Sequence, residues 1–221
     1  MSDLKLVLFD CDGTLADSHG FLTRVVQDSF RHVGVPLPPP DMMREFYSLP
    51  FTEFFRRCDG LMSAEQIEQA SGYMMHTLRT ERDSGALIEP FYPGIMEVLQ
   101  ELHNSGYLLG VVTNKGGHGL DAVLASNGAA DLFVTLHHGD NAVHKPAPDM
   151  VLNALRNTGA EKDNCIVIGD SLIDILTAQN AGVRSIGVTW AGRDAGSLKE
   201  AGAIAVLDRV EQLVPAIKAA L

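Results

Sequence analysis

Cationic side chains are scarce in this 221-residue chain: 17 lysines and arginines stand against 28 aspartates and glutamates, for a formal net charge of −11. The basic residues are scattered, whereas binding along a phosphate backbone needs them clustered, so no nucleic-acid partner is expected. Cysteine is scarce as well. Cys11, Cys58 and Cys165 are odd in number and far apart, which leaves neither a disulfide framework nor a C-x-x-C metal site. No apolar run approaches the roughly eighteen residues of a membrane span, and the amino terminus lacks the basic, apolar and small-residue order of a secretory signal. The expectation is a cytoplasmic protein with no membrane partner, present as a monomer or homodimer. Repeats and low-complexity segments are missing too. What is present is a 46% hydrophobic chain, enough for a large core in one domain with an insertion or in two small domains.

Short apolar runs recur with helical patterns between them. Leu4 to Phe9, Tyr107 to Thr113, Cys165 to Gly169, Arg184 to Thr189 and Ala203 to Leu207 read as strands, and patterns such as Gly94 to Asn104 and Pro148 to Asn157 read as helices. Glycines at 106, 159, 182 and 202 are helix stops. This alternation predicts an α/β fold with a doubly wound parallel sheet, a Rossmann-like core covered on both faces. The rhythm breaks from about Ser18 to Gly85. Only helical patterns occur there, at Phe21 to Val33, Met42 to Tyr47, Thr52 to Arg57 and Ala64 to Arg82. The expected division is therefore residues 1–17 with 86–221 as the core and 18–85 as an inserted all-helical unit, with hinges at its edges.

Ligands of open parallel sheets sit beyond the carboxyl ends of the strands, so the polar residues there form the candidate site. Four clusters qualify: Asp10-Cys11-Asp12-Gly13-Thr14, Thr113-Asn114-Lys115, Lys145-Pro146-Ala147-Pro148, and Gly169-Asp170-Ser171 with Asp174. Four carboxylates at one sheet end are costly unless a cation or proton resolves them, and hard oxygen ligands suit Mg2+. A carboxylate can attack phosphorus while a second acid serves the leaving oxygen and then the attacking water. Blander readings exist for each residue. Ser171 or Asp170 can cap the following helix with Asp174 in its first turn, Thr113-Asn114 can start a helix, and Lys145 can be a solvated lysine. Cys11 is read as a packed thiol, and His137, His138 and His144 as a loop.

Phe9-Asp10-Cys11-Asp12-Gly13-Thr14-Leu15 resembles the first motif of haloacid dehalogenase-like phosphotransferases, and the other three clusters resemble the remaining motifs in order and spacing. The resemblance spans the whole chain. It implies a magnesium-dependent phosphatase with Asp10 as nucleophile, Asp12 as general acid/base, Thr113 and Asn114 as phosphate binders, and Lys145 as charge clamp. It further implies that Asp170 holds Mg2+ with Asp10 and the main-chain carbonyl of Asp12, supported by Asp174. The helical insertion resembles the family's cap domain, which closes over the site and excludes water.

Within the family, the presence of Asp12 points away from dehalogenation, and the lack of lysine between Ala16 and Pro90 points away from Schiff-base phosphonate hydrolysis. Asp12 to Ser18 resembles phosphoglycolate phosphatases more than sugar-phosphate mutases, which remain the enzymatic alternative. The partner expected is a small phosphorylated metabolite. Arg24, Arg44, Ser48 and Arg56 are the cap candidates for substrate choice, with Ser48-Leu49-Pro50-Phe51 resembling the specificity loop; an arginine there can pair with a substrate carboxylate. A non-catalytic binding protein on the same fold is the alternative of another class. Such a protein usually loses the nucleophile or the acid, and here both are retained.

Overall fold

The computed structural model describes residues 4–39, 42–43, 51–58 and 60–221. The chain divides into two compact units, Ser18–Glu89 and Met1–Asp17 with Pro90–Leu221. The second junction falls at Glu89 rather than at residue 85. A hydrogen bond from the Leu87 N–H to the Glu81 carbonyl and the ion pair of Arg82 with Glu89 tie this segment to the helical unit.

The larger unit carries six parallel strands: β1 Leu6–Phe9, β2 Leu108–Val112, β3 Thr135–His137, β4 Cys165–Gly169, β5 Arg184–Val188 and β6 Ala205–Leu207, in the order β3-β2-β1-β4-β5-β6. β1 lies at the centre because it is apolar at every position and must be covered on both faces. Val7 and Phe9 enter one core cluster with Val111, Ile166, Ile168 and Ile186, while Leu6 and Leu8 enter another with Met150, Val151 and Val167. Each such fully buried side chain contributes about 1.5–3 kcal/mol relative to exposure. This is the doubly wound α/β architecture expected from the alternation of elements. The strand β3 was not expected; its three residues include Thr135 and His137, too short and too polar to show a strand pattern.

The smaller unit contains α1 His19–His32, α2 Phe51–Arg57 and α3 Ala64–Asp83. Phe30, Phe54 and Phe55 form its core, with ring centroids 5.5 Å apart for Phe54 and Phe55 and 5.9 Å for Phe30 and Phe55. A capping box of Ser63 and Gln66 starts α3. Arg44 and Ser48, and most of the helix expected over Met42 to Tyr47, lie outside the described residues.

Candidate active site

Sheet register assembles the site. Phe9 of β1 pairs with Val111 of β2 on one side and Ile168 of β4 on the other, so the loops leaving these three strands emerge side by side. Strand order reverses direction about β1, and a crevice beyond the carboxyl ends at that point is where open sheets of this kind bind ligands. Asp10 follows β1, Thr113 follows β2 and Asp170 follows β4.

Lys145, 135 residues from Asp10 in sequence, donates from Nζ to Asp10 Oδ1 at 2.8 Å and to Asp174 Oδ1 at 2.5 Å. All three side chains are nine-tenths buried or more. Among the described residues, Asp10, Asp170 and Asp174 form the one cluster whose ligand atoms all lie within 4.8 Å of one another. Burial pushes the Asp10 carboxyl up to about 7 against the pull of Lys145, and the charges of Asp174 and Asp170 add to the rise. Burial likewise pushes Asp170 up to about 6, with Arg193 opposing and Asp174 reinforcing. Burial works against the charge of Lys145, yet Asp10 and Asp174 more than offset it and hold the ammonium protonated. The mutual repulsion of three buried carboxylates is what a divalent cation would relieve, and an all-oxygen donor set fits magnesium.

Asp174 has both the bland role and the cluster role. Its Oδ2 accepts from the Ser171 N–H and hydroxyl at 3.0 and 2.6 Å, forming a capping box at the start of the helix Leu172–Ala181, while its Oδ1 faces Lys145. Two glycines make the packing possible. Gly13 has φ +80°, and a Cβ there would lie 2.6 Å from Asp170 Oδ2; a Cβ on Gly169 would lie 2.3 Å from that of Asp174.

The remaining expected residues fall differently. Asp12 is half-buried and accepts from Lys115 Nζ at 2.8 Å. Lys115 stood in the sequence cluster without a role, and its proximity to Asp12 follows only from the turn after β2. Thr113 is buried, its hydroxyl accepting from the Lys115 N–H at 3.2 Å. Asn114, an expected phosphate binder, accepts at its side-chain Oδ1 from the Lys145 N–H at 2.9 Å and donates from Nδ2 to the Lys145 carbonyl at 3.4 Å. That amide therefore positions the loop carrying the lysine. Arg24 pairs with Glu81 at 2.6 Å and lies over the Phe21 ring, and the exposed Arg56 pairs with Glu53 at 3.6 Å, both within the helical unit.

Cys11 is fully buried in the core, as a packed thiol would be. His137 corrects the loop reading: it closes β3, is buried, and lies 3.0 Å from the Thr135 hydroxyl through Nε2, with burial lowering its basicity. The residue missed entirely is Arg193, whose Nε donates to Asp170 Oδ2 at 2.7 Å. No motif marks it.

The sequence profile of haloacid dehalogenase-like hydrolases matches residues 7–188. The chain belongs to the haloacid dehalogenase-like hydrolase family. It is 30% identical over 198 residues to the phosphoglycolate phosphatase of Vibrio parahaemolyticus, covering 85% of each chain. It is 25% identical over 212 residues to pyrophosphatase PpaX of Oceanobacillus iheyensis, covering 96% of this chain and 95% of that one. A solved structure described as a predicted phosphatase from Clostridium acetobutylicum superposes with a TM-score of 0.84 at 25% identity, covering 99% of this chain and all of that one. This haloacid dehalogenase-like protein is thus an enzyme of the phosphatase branch, in the phosphoglycolate phosphatase-like subgroup. No helix among its described residues is long and apolar enough to cross a membrane.

Proposed function

We propose that this chain is a magnesium-dependent phosphatase that hydrolyses a small phosphomonoester through a phosphorylated Asp10. The observation that carries the reading is the buried contact of Lys145 Nζ with Asp10 Oδ1 at 2.8 Å inside a cluster of three carboxylates. A carboxylate desolvated but held by a protonated lysine is an activated nucleophile with its charge partner in place.

In this reading an Asp10 oxygen attacks phosphorus and the bond to the leaving oxygen breaks. Asp12 gives that oxygen a proton, then takes one from the water that attacks the acyl phosphate, which regenerates Asp10 and releases inorganic phosphate. Lys115 orients the Asp12 carboxylate, and Lys145 and Thr113 offset the charge on the phosphoryl oxygens. Asn114 is a further phosphate binder in this reading, and its amide also fixes the main chain of Lys145. Asp10, Asp170 and the main-chain carbonyl of Asp12 would hold magnesium, with Asp174 in support. When bound, the metal supplies positive charge for the phosphoryl group in transfer. Losing one well-placed donor typically costs about a hundredfold in rate.

The helical unit Ser18–Glu89 is the proposed cap, and it selects the substrate, with Arg24, Arg44, Ser48 and Arg56 as the candidate reading residues. A substrate resembling phosphoglycolate is favoured by the Vibrio relative, and pyrophosphate is the second reading because of the Oceanobacillus relative. Three buried thiols suit a reducing cytoplasm.

The test is phosphate release from phosphoglycolate, hexose phosphates, nucleotides and pyrophosphate, with magnesium and with chelator, using Asp10→Asn as the blank. Hexose phosphates are also checked for isomerised product, which would signal a mutase. Magnesium-dependent release absent from the variant supports the reading. Activity in Asp10→Asn close to that of the native enzyme would sink the covalent step.

A further inference from the structure

Three carboxylates converge in the site, but Lys145 serves only two of them. The third has a cation of its own. Arg193 Nε lies 2.7 Å from Asp170 Oδ2, with the Arg193 side chain 17% exposed and that of Asp170 2%. A guanidinium stays charged at every accessible pH, so this positive charge cannot be removed by losing a proton.

The backbone around Arg193 is built to deliver it. The chain leaves β5 at Val188 and turns through a hydrogen bond from the Gly192 N–H to the Thr189 carbonyl at 2.8 Å, with Gly192 at φ +82°. It then enters the helix Ala195–Glu200, whose first turn is capped by Asp194. The same loop carries Trp190, whose Nε1–H donates to the Thr14 carbonyl at 3.1 Å, and the Thr14 hydroxyl donates to Asp170 Oδ1 at 3.5 Å. Asp170 is therefore linked to this loop twice, by Arg193 directly and through Thr14 to Trp190.

We propose that Arg193 is a built-in counter-ion of the acidic cluster that competes with the divalent cation for Asp170 and weakens the site's affinity for it. This rests on the magnesium reading above. A cation arriving at Asp170 either displaces the guanidinium, breaking a buried charged hydrogen bond, or binds beside a like charge; both lower affinity. By thermodynamic reciprocity, metal uptake loosens the hold of Asp170 on Arg193 and alters the loop that carries Trp190. Arg193 is thus a positioning residue that sets metal affinity, leaving the cluster partly neutralised when magnesium is scarce.

The experiment is calorimetric titration of MgCl2 into the chelator-treated, dialysed full chain, comparing the native protein with Arg193→Gln, Arg193→Met and Arg193→Lys, with circular dichroism as the check on folding. The chain has a single tryptophan, so its emission during the same titration reports on the loop directly. Removing the charge is expected to tighten magnesium binding roughly tenfold in both neutral variants, as a coupling of typical size would. The lysine variant is expected to return towards native affinity, and the metal-induced change in emission to shrink in the neutral variants, whose loop is already released. Unchanged or weaker binding in Arg193→Gln and Arg193→Met overturns the inference while leaving the phosphatase reading intact. No magnesium uptake by the native protein, by contrast, overturns both.

Discussion

Replacing Lys145 with methionine removes the cation that joins Asp10 to Asp174 while keeping most of the side-chain volume. Both carboxylates and Asp170 remain buried within 4.8 Å of one another. Breaking a buried pair from one side typically costs about 3–5 kcal/mol, because a charge is left without compensation. For a chain of this size that corresponds to a fall in Tm of roughly 6–20 °C in chelator. The pH dependence follows from the carboxyl groups. An acid whose folded value lies above its unfolded one binds more protons when folded, so its contribution is present at low pH and lost as pH rises through that interval. For Asp10 the interval runs from the ordinary 3.8 to about 7, and for Asp170 from 3.8 to about 6. Lys145 pulls both down, so its loss extends both intervals upward, and the deficit is expected to be larger near pH 8 than near pH 5. Magnesium at a hundredfold excess over its Kd should return about 2.7 kcal/mol. Thermal denaturation at the two pH values, with chelator and with magnesium, reads all of this. A variant as stable as the native protein in chelator at pH 8 would refute the electrostatic account of the cluster.

Gly13→Ala places a Cβ 2.6 Å from Asp170 Oδ2 at φ +80°, so we expect a loss of about 1–3 kcal/mol in stability together with weaker magnesium uptake, read by denaturation and calorimetry. Asn114→Ala removes both hydrogen bonds to the Lys145 main chain; turnover should fall by a hundredfold or more while the helical unit keeps its thermal transition, and near-native kcat would show that the lysine loop holds itself. Phe55→Ala should cost about 3–5 kcal/mol in the helical unit, with urea unfolding followed by circular dichroism as the measurement. Arg24→Gln and Arg56→Gln separate binding from chemistry: whichever arginine reads the substrate should raise KM with little change in kcat.

Much of the α/β core was legible because buried parallel strands are short continuous apolar runs and their helices carry clear stops. β3 was not, since Thr135 and His137 interrupt any apolar run, and the buried environment of His137 exists only once β2 lies beside it. The two acidic motifs could be read because each concentrates charge at a strand end where a turn alone gives no reason for it, and the other two because they follow in order with a lysine each. Asn114 shows the limit: its residue type allows a phosphate donor and a loop clamp alike, and only the tertiary structure brings its amide to the Lys145 main chain.

The sequence by itself determined the alternation of strand and helix, the helical insertion and the acids, lysine and glycines of the site, because periodicity and local charge are properties of neighbouring residues. Tertiary structure alone decided which cation meets which carboxylate. Lys145 is 135 residues from Asp10, Lys115 is 103 from Asp12 and Arg193 is 23 from Asp170. Such pairs are set by strand order, register and loop direction, which carry no local signature, and burial then turns ordinary side chains into a strongly coupled cluster.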